Sequence, residues 1–297
     1  MGMEPILFEP VASPFLVPYD GSFRVAGAST RPPSSAAGKK ENQKAQEEAT
    51  ARIAKRQARL YADDRYALLI VFQALDAAGK DGTLRAVMSG VNPAGVHVHP
   101  FKAPTHQEHD HDFMWRCIQQ LPARGMIGVW NRSHYEEVLV VRANPKFLAS
   151  ERLPRGLDDL STMWTERYES IRDHERHWAR NGTVILKFWL NVSKDEQKQR
   201  LIDRIDEPDA NWKFNADDLI QRGKWPEYQR AYEDALNATS RPWAPWYAIP
   251  ADSKSYMRRA VAEIIADTLD RLPLRWPEVS AEERAELQAV RAKLDAD

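Results

Sequence analysis

Tyr66-Ala-Leu-Leu-Ile-Val-Phe72 is the first sustained apolar run in the chain, and it carries no charge. Continuous rather than alternating, it reads as a strand buried on both faces. Met126-Ile-Gly-Val-Trp130 has the same character, and Thr183-Val-Ile-Leu-Lys-Phe-Trp-Leu190 reads as a further strand. Val96-His-Val-His-Pro-Phe101 alternates apolar and polar residues, which predicts a strand between the first two. Trp243-Ala-Pro-Trp246-Tyr-Ala-Ile-Pro250 reads as a last, edge-like strand, because prolines cannot donate to a central ladder.

Helical stretches separate these runs. Lys39–Asp63 is charged and Ala-rich with Ile53, Leu60 and Tyr61 among few apolar positions, which predicts a surface helix. Further helices are expected over 84–89, 113–121, 157–180, 193–205, 217–236 and 255–272, with a short amphipathic one within 277–294. Gly182 stops the third of these seven, and Ser193 three residues before Glu196 is a capping signature for the next. Strands alternating with helices predict an α/β fold with a parallel sheet. Residues 1–38, rich in Pro, Ser and Gly, read as an extended arm over the body or a neighbouring subunit. The expected organisation is an arm over 1–38, one domain over 39–272 with a helical lid at about 193–237, and a tail over 273–297.

Composition narrows the classes. With 297 residues and 43% apolar content the chain can bury a large core. Forty-two basic and 43 acidic residues leave a net charge of −1, so nothing global announces nucleic acid and any anion-binding face must arise by local sorting of charge. Cys117 is the only cysteine, which excludes an internal disulfide and suits a reducing cytosol. No apolar run approaches the roughly 20 residues of a membrane helix, and no signal-peptide order opens the chain. A soluble, cytoplasmic protein is expected.

The first strand runs into Asp76-Ala-Ala-Gly79-Lys80-Asp81-Gly82-Thr83 and then a helix. Amides of such a turn, with the positive end of a helix dipole, form a phosphate cradle, and Lys80 supplies a mobile cation. The pattern G-x-x-x-x-G-K-[ST] fails at Ala74 and at Asp81, so an ordinary strand-to-helix turn stays open. Asp76 and Asp81 would repel a polyanion unless a divalent cation intervened. Magnesium takes one or two protein carboxylates plus phosphate oxygens and waters, and Asp76 can anchor it; the alternative is that both aspartates face water.

Five of eight histidines lie between His97 and His111, but without a Cys partner or an H-E-x-x-H spacing they do not make a metal site. Lys102 is a lone cation at a strand end, where ligands gather in open α/β sheets. The third strand delivers Asn131-Arg132-Ser133-His134-Tyr135-Glu136-Glu137. Arg132 either clamps a phosphate bidentately or pairs with a surface carboxylate. Arg200 and Arg204 share one helix face, and Arg222 and Lys224 lie on the next helix after a break. A mobile lid over a phosphate site and a plain helical hairpin both fit.

Taken together, Asp76-Ala-Ala-Gly-Lys-Asp-Gly82, Phe101-Lys-Ala-Pro-Thr105, His111-Asp-Phe113 with Trp115-Arg116, Asn131-Arg-Ser-His-Tyr-Glu136, Trp212-Lys-Phe214 and Trp243-Ala-Pro-Trp246 resemble the polyphosphate kinase 2 family. The resemblance implies a P-loop kinase fold like that of thymidylate kinase: three α/β/α layers, a parallel central sheet and a helical lid. It implies reversible transfer of a phosphoryl group between inorganic polyphosphate and AMP or ADP, with Mg2+, or Mn2+ in its place. Asp76, Lys80, Arg132 and Glu137 are then the catalytic candidates, with Asp76 as metal ligand. Ala77, Ala78, Gly79, Asp81, Gly82, Thr83, Lys102, Asn131 and Glu136 are candidates for phosphate and nucleotide. Arg204, then Arg200, with Lys213, Arg222 and Lys224, are candidates for polyphosphate on the lid. Many members carry Asp where Asn131 stands, and Asn131 with Glu136 resembles the subgroup that accepts both AMP and ADP. A homo-oligomer, dimer or tetramer, is implied, with no nucleic-acid or membrane partner. An ATP-dependent nucleotide kinase on the same core and a non-catalytic phosphate-binding protein are the alternatives.

Overall fold

Five strands, β1 (Ala67–Gln73), β2 (Val96–Pro100), β3 (Ile127–Asn131), β4 (Thr183–Asn191) and β5 (Trp246–Pro250), pair in the order β2-β3-β1-β4-β5. Every pair is parallel. The computed structural model describes residues 8–154, 160–209 and 211–296. The uncharged run around Leu68 to Phe72 occupies the middle of the sheet, where both faces are covered, and all of β1 is buried. The alternating run and the proline-containing run are the two edges, as their patterns require.

The helices are α1 (Lys39–Asp63), α2 (Lys80–Val87), α3 (His106–His109), α4 (Trp115–Ile118), α5 (Glu136–Ala143), α6 (Leu160–Arg180), α7 (Lys194–Asp206), α8 (Asp217–Gly223), α9 (Trp225–Thr239), α10 (Lys254–Arg271) and α11 (Ala281–Leu294). Successive β1 side chains point to opposite faces. Leu68, Ile70 and Phe72 join the core with residues of α1, α2 and α10, while Leu69 and Val71 join the core of α5, α6 and α9. This is the expected three-layer α/β/α sandwich.

Some elements differ from expectation. The helix expected over 113–121 is only the single turn α4, because Met114 caps a bend and Pro122 follows closely. The long helix expected over 217–236 is two, α8 and α9, broken at Lys224 with Pro226 in the first turn of α9. The first residues of the helix expected from 157 lie outside the described residues. The arm uses its backbone: the Val17 amide donates to Trp246 O at 2.9 Å and the Ala248 amide to Phe15 O at 2.8 Å, so the outer edge of β5 is covered. α11 touches little and is exposed throughout.

β4 carries a buried cation. Lys187 donates to Glu175 Oε2 at 2.7 Å, the Tyr135 hydroxyl at 2.8 Å and Thr239 O at 2.9 Å, and Tyr135 donates to Glu175 Oε1 at 2.8 Å. Burial lowers the Lys187 ammonium to about 8. The network clamps the segment following β3 to α6 and α9.

Candidate active site

In the order β2-β3-β1-β4-β5 the chain leaves β1 first toward one edge and later toward the other, so a crevice opens at the carboxyl ends of β1 and β3. Residues 74–80 and 131–132 both emerge there. The loop after β1 makes its turn through two residues in the left-handed region, Ala77 at φ 62° and Gly79 at φ 107°. Gly79 precedes α2, whose first intrahelical bond is Thr83 N–H to Gly79 O at 3.0 Å. The amides of Lys80, Asp81 and Gly82 therefore have no carbonyl behind them and face the crevice end of the helix dipole.

Lys80 is buried and its Nζ donates to Ala74 O at 2.6 Å, curling under the loop. Burial, and next the nearby Arg132 guanidinium, hold its ammonium below the ordinary lysine range against Asp76, Glu136 and Asp81. Arg132 has φ 66° while its amide still bonds Phe72 O at 3.0 Å, so a non-glycine residue is kept in a sparsely populated conformation at the strand end. That turn aims its guanidinium at Asp76 Oδ1, 2.6 Å away, and at Glu136 Oε2, 3.1 Å away. The Glu136 carboxylate, opposed by burial and helped by Asp76, raises the Arg132 pKa further. Asn131 Nδ2 donates to Asp81 Oδ1 at 2.7 Å, and Asn131 Oδ1 is enclosed with no donor in reach.

All of these but Glu136 line one cavity of about 660 Å³, with Asp76 to Gly82 on its floor, Asn131, Arg132, Pro100 and Phe101 on one side, and α7 on another, while Glu136 faces a smaller pocket shared with Asp76, Arg132 and Asp218. The cavity also receives Lys254, Met257 and Arg258 from the start of α10, which sequence reasoning missed. Their signal was available: Lys254 and Arg258 are four apart at the start of a helix that follows the last strand, at the same sheet end as the loop.

The oxygen donors fit a hard divalent cation. Asp76 uses one carboxylate oxygen on Arg132, and the enclosed Asn131 Oδ1 is an orphaned acceptor in the same crevice. Among the described residues no three His, Cys, Asp or Glu side chains converge into a cage.

Several expected site residues lie elsewhere. Glu137 does not reach this cavity: it is buried on the inner side of α5, 3.6 Å from Arg116 and 3.7 Å from Arg167, and burial, then Glu151, push its carboxyl up to about 7. Glu136 and Glu137 are neighbours on a helix and so face different ways. Thr83 is buried, its hydroxyl donating to Gly79 O at 3.0 Å, the back-bond open to any helical threonine. Lys102 is exposed and does not line the cavity.

The cations expected on a lid divide. Arg204 lines the cavity and pairs with Asp218 at 3.2 Å. Arg200 is buried beneath the loop, donating to Ala78 O and Ala251 O at 2.6 Å each and to Glu196 at 2.8 Å, so every guanidinium nitrogen is already engaged. Arg222 donates to Lys194 O and Gln197 Oε1, and Lys224 to Asn144 Oδ1 and Ala143 O, which ties α8 and α9 to α7 and α5. The Lys213 side chain lies outside the described residues.

A family model described as Polyphosphate kinase 2 (PPK2) matches residues 36–274. The ADP-polyphosphate phosphotransferase of Rhodopseudomonas palustris is 50% identical over 243 residues, covering 82% of this chain and 84% of that protein. The AMP/ADP-polyphosphate phosphotransferase of Meiothermus ruber is 47% identical over 227 residues, 76% of this chain and 80% of that one. The crystal structure of polyphosphate kinase 2 from Arthrobacter aurescens TC1 superposes with a TM-score of 0.81 at 36% identity, over 94% of this chain and 100% of that one.

Proposed function

The chain belongs to the polyphosphate kinase 2 family, and from that premise we propose that the crevice after β1 transfers a phosphoryl group from inorganic polyphosphate to AMP and ADP. The observation that carries this is the convergence of the free α2 amides, Lys80, Arg132 and Arg204 on one cavity. Polyphosphate-dependent nucleotide kinase activity accords with the relatives' names. Acceptance of both acceptors is supported by Asn131 and Glu136 together with the Meiothermus relative, which is named for both.

The reaction asks little of acid–base chemistry. A terminal oxygen of the nucleotide, ionised near neutral pH, attacks the terminal phosphorus of the chain, the bridging P–O bond breaks, and the shortened chain leaves with the electron pair. No proton has to move, so positioning and charge neutralisation dominate. Lys80 and the loop amides bind non-bridging oxygens, Arg132 moves from its carboxylate partners onto the transferring group, and Arg204 closes from the lid. A divalent cation, magnesium or manganese in its place, held by Asp76 with Asn131 Oδ1 beside it, supplies further charge neutralisation when bound. Bonds broken and formed are both phosphoanhydrides, so the transfer runs either way with concentration. In this reading the protein works in the cytoplasm as a homo-oligomer, a dimer or tetramer.

Incubation with AMP, Mg2+ and polyphosphate, without ATP, is the test: ADP and ATP appear if the reading holds, whereas an ATP-dependent kinase stays silent. Asp76→Asn is expected to cut turnover about 100-fold or more in folded protein. Arg204→Ala is expected to raise KM for polyphosphate more than KM for nucleotide. Near-normal turnover of folded Asp76→Asn protein would remove the metal role.

A further inference from the structure

The N-terminal arm does not end at the edge of β5. Beyond Val17 its backbone is held by side chains of α9 and of the sheet. Asn237 donates to Phe23 O at 2.9 Å and accepts from the Phe23 amide at 3.0 Å, and Glu233 accepts from the Val25 amide at 2.8 Å. Asn191, the last residue of β4, donates to Ala28 O at 3.1 Å. The arm is thereby led to the carboxyl end of β4, beside the start of α7. There it meets Asp252, two residues past β5, and the two segments clasp each other. The Thr30 hydroxyl donates to Asp252 Oδ2 at 2.9 Å, and the Asp252 amide donates to Thr30 O at 2.9 Å.

The other oxygen of the same carboxylate faces α7. Asp252 Oδ1 accepts the amide of Ser193 at 2.7 Å. Ser193 is the N-cap of α7, and its amide takes no bond within the helix. The Asp252 side chain is only 11% exposed, so these bonds are sheltered from competing water, whereas Arg31, 3.8 Å away and exposed, adds little. Gln197 and Arg200 lie one and two turns into α7 on the face that Ser193 opens. Gln197 donates to Asp76 O at 3.0 Å, and Arg200 donates to Ala78 O and to Ala251 O at 2.6 Å each. Those two loop carbonyls belong to the residue carrying the candidate metal-binding carboxylate and to the residue before Gly79. Where α7 begins therefore fixes the back of the loop, and it also fixes Arg204 further along the same helix.

We propose that Asp252 and Thr30 are positioning residues for the transfer, with the arm acting through Asp252 and α7 to hold the loop after β1 in register with Arg204. This rests on the reading of that loop as the site of phosphoryl transfer. Neither residue lines the cavity or touches a reacting atom. Their effect is geometric: one carboxylate ties the arm, the start of α7 and the segment before α10 together, and in-line transfer is sensitive to displacements of an ångström. Loss of the Thr30 hydroxyl frees Asp252 Oδ2, lets the carboxylate turn away from Ser193, and lets α7 and the loop drift apart. The arm is thus a working part of the site and not only a cover for the sheet edge.

The test measures kcat, KM for nucleotide and melting temperature in the full chain, with polyphosphate, AMP and Mg2+, for Thr30→Val, Thr30→Ser, Asp252→Ala and the double variant Thr30→Val/Asp252→Ala. Tyr247→Phe is the control, because it removes the hydroxyl that donates to Val11 O at 3.0 Å and so loosens the arm at its other end. Thr30→Val is expected to lower kcat about tenfold, the scale of a lost hydrogen bond to a charged group, with KM for nucleotide within about twofold. Thr30→Ser restores the hydroxyl and is expected to restore kcat. Asp252→Ala is expected to cut kcat about 100-fold, and the double variant to lose no more than Asp252→Ala alone, because Thr30 acts through Asp252. Tyr247→Phe is expected to lower the melting temperature while kcat stays within about twofold. Thr30→Val with wild-type kcat would overturn the proposal and leave the function standing. So would a Tyr247→Phe loss of kcat as large as that of Thr30→Val, or losses that multiply in the double variant. A wild type that transfers nothing from polyphosphate overturns the functional reading and this proposal with it. Because Thr30 is only half-buried, its variants stay interpretable even if Asp252→Ala melts early.

Discussion

Gly79 shows how one residue can be indispensable without touching substrate. At φ 107° it adopts a backbone that side chains resist, and a Cβ there would lie 3.1 Å from Met257 Cε and 3.5 Å from Arg200 Nη1. Both the torsion and the contact turn the loop away from the geometry that frees the α2 amides. Gly79→Ala is expected to cost about 1–2 kcal/mol of stability and to lower kcat/KM for donor and acceptor alike, since both meet at the loop. Lys80→Met should behave differently. The methionine fits a buried site, so the melting temperature shifts only modestly while turnover falls about 100-fold or more. Thermal melting alongside steady-state kinetics separates the two, and a Lys80→Met enzyme with normal turnover would remove the lysine from the chemistry.

At the scale of elements, α5 serves two sites from adjacent residues. Its outward carboxylate, Glu136, faces Arg132, and its inward one, Glu137, is packed against Arg116 and Arg167. Folding raises the Glu137 pKa from 4.5 to about 7. The native state thus holds a proton that the unfolded chain has released between these values. Its stabilising contribution is complete below about pH 4.5 and is lost as pH rises through about 7, with a ceiling of about 3 kcal/mol. Urea unfolding at intervals from pH 5 to 8 is expected to show the wild type losing stability relative to Glu137→Gln, which has no proton to lose. Parallel curves would mean that the two arginines keep Glu137 ionised throughout. Lys224 fastens the start of α9 to the end of α5, Arg222 ties α8 to the start of α7, and Arg204 and Asp218 bridge α7 and α8 beside the cavity.

For the whole molecule, the Lys187–Glu175 pair joins the middle of the sheet to the α6 layer. Neither group is a contact to substrate, yet Tyr135 in the same network follows Arg132 by three residues and fixes how that segment leaves β3. Lys187→Met leaves Glu175 buried and uncompensated, with an expected loss of about 3–5 kcal/mol. Lys187→Met combined with Glu175→Leu removes both charges and is expected to regain most of it. Denaturant midpoints decide the matter, and a double variant as unstable as the single one would show that the pair's other hydrogen bonds, not its charge balance, hold the layers together. The lysine was legible as a strand residue but not as a buried charge, although a cation inside so apolar a run implies an enclosed partner.

Sequence alone determined what depends on near neighbours. Apolar runs around Ile70, Val129 and Leu186 specified buried strands, alternation and proline specified the edges, and Gly79 next to Lys80 specified a tight strand-to-helix turn. Residue spacing carries this information because a side chain's face follows from the period of its own element. Tertiary structure decided which charges meet. Arg132 finds Asp76 fifty-six positions away, Arg200 turns beneath the loop, Glu137 turns away from it, and Arg258 arrives from the far end of the chain. Those partnerships follow from the strand order and from the angle at which each helix packs, and no local period encodes either.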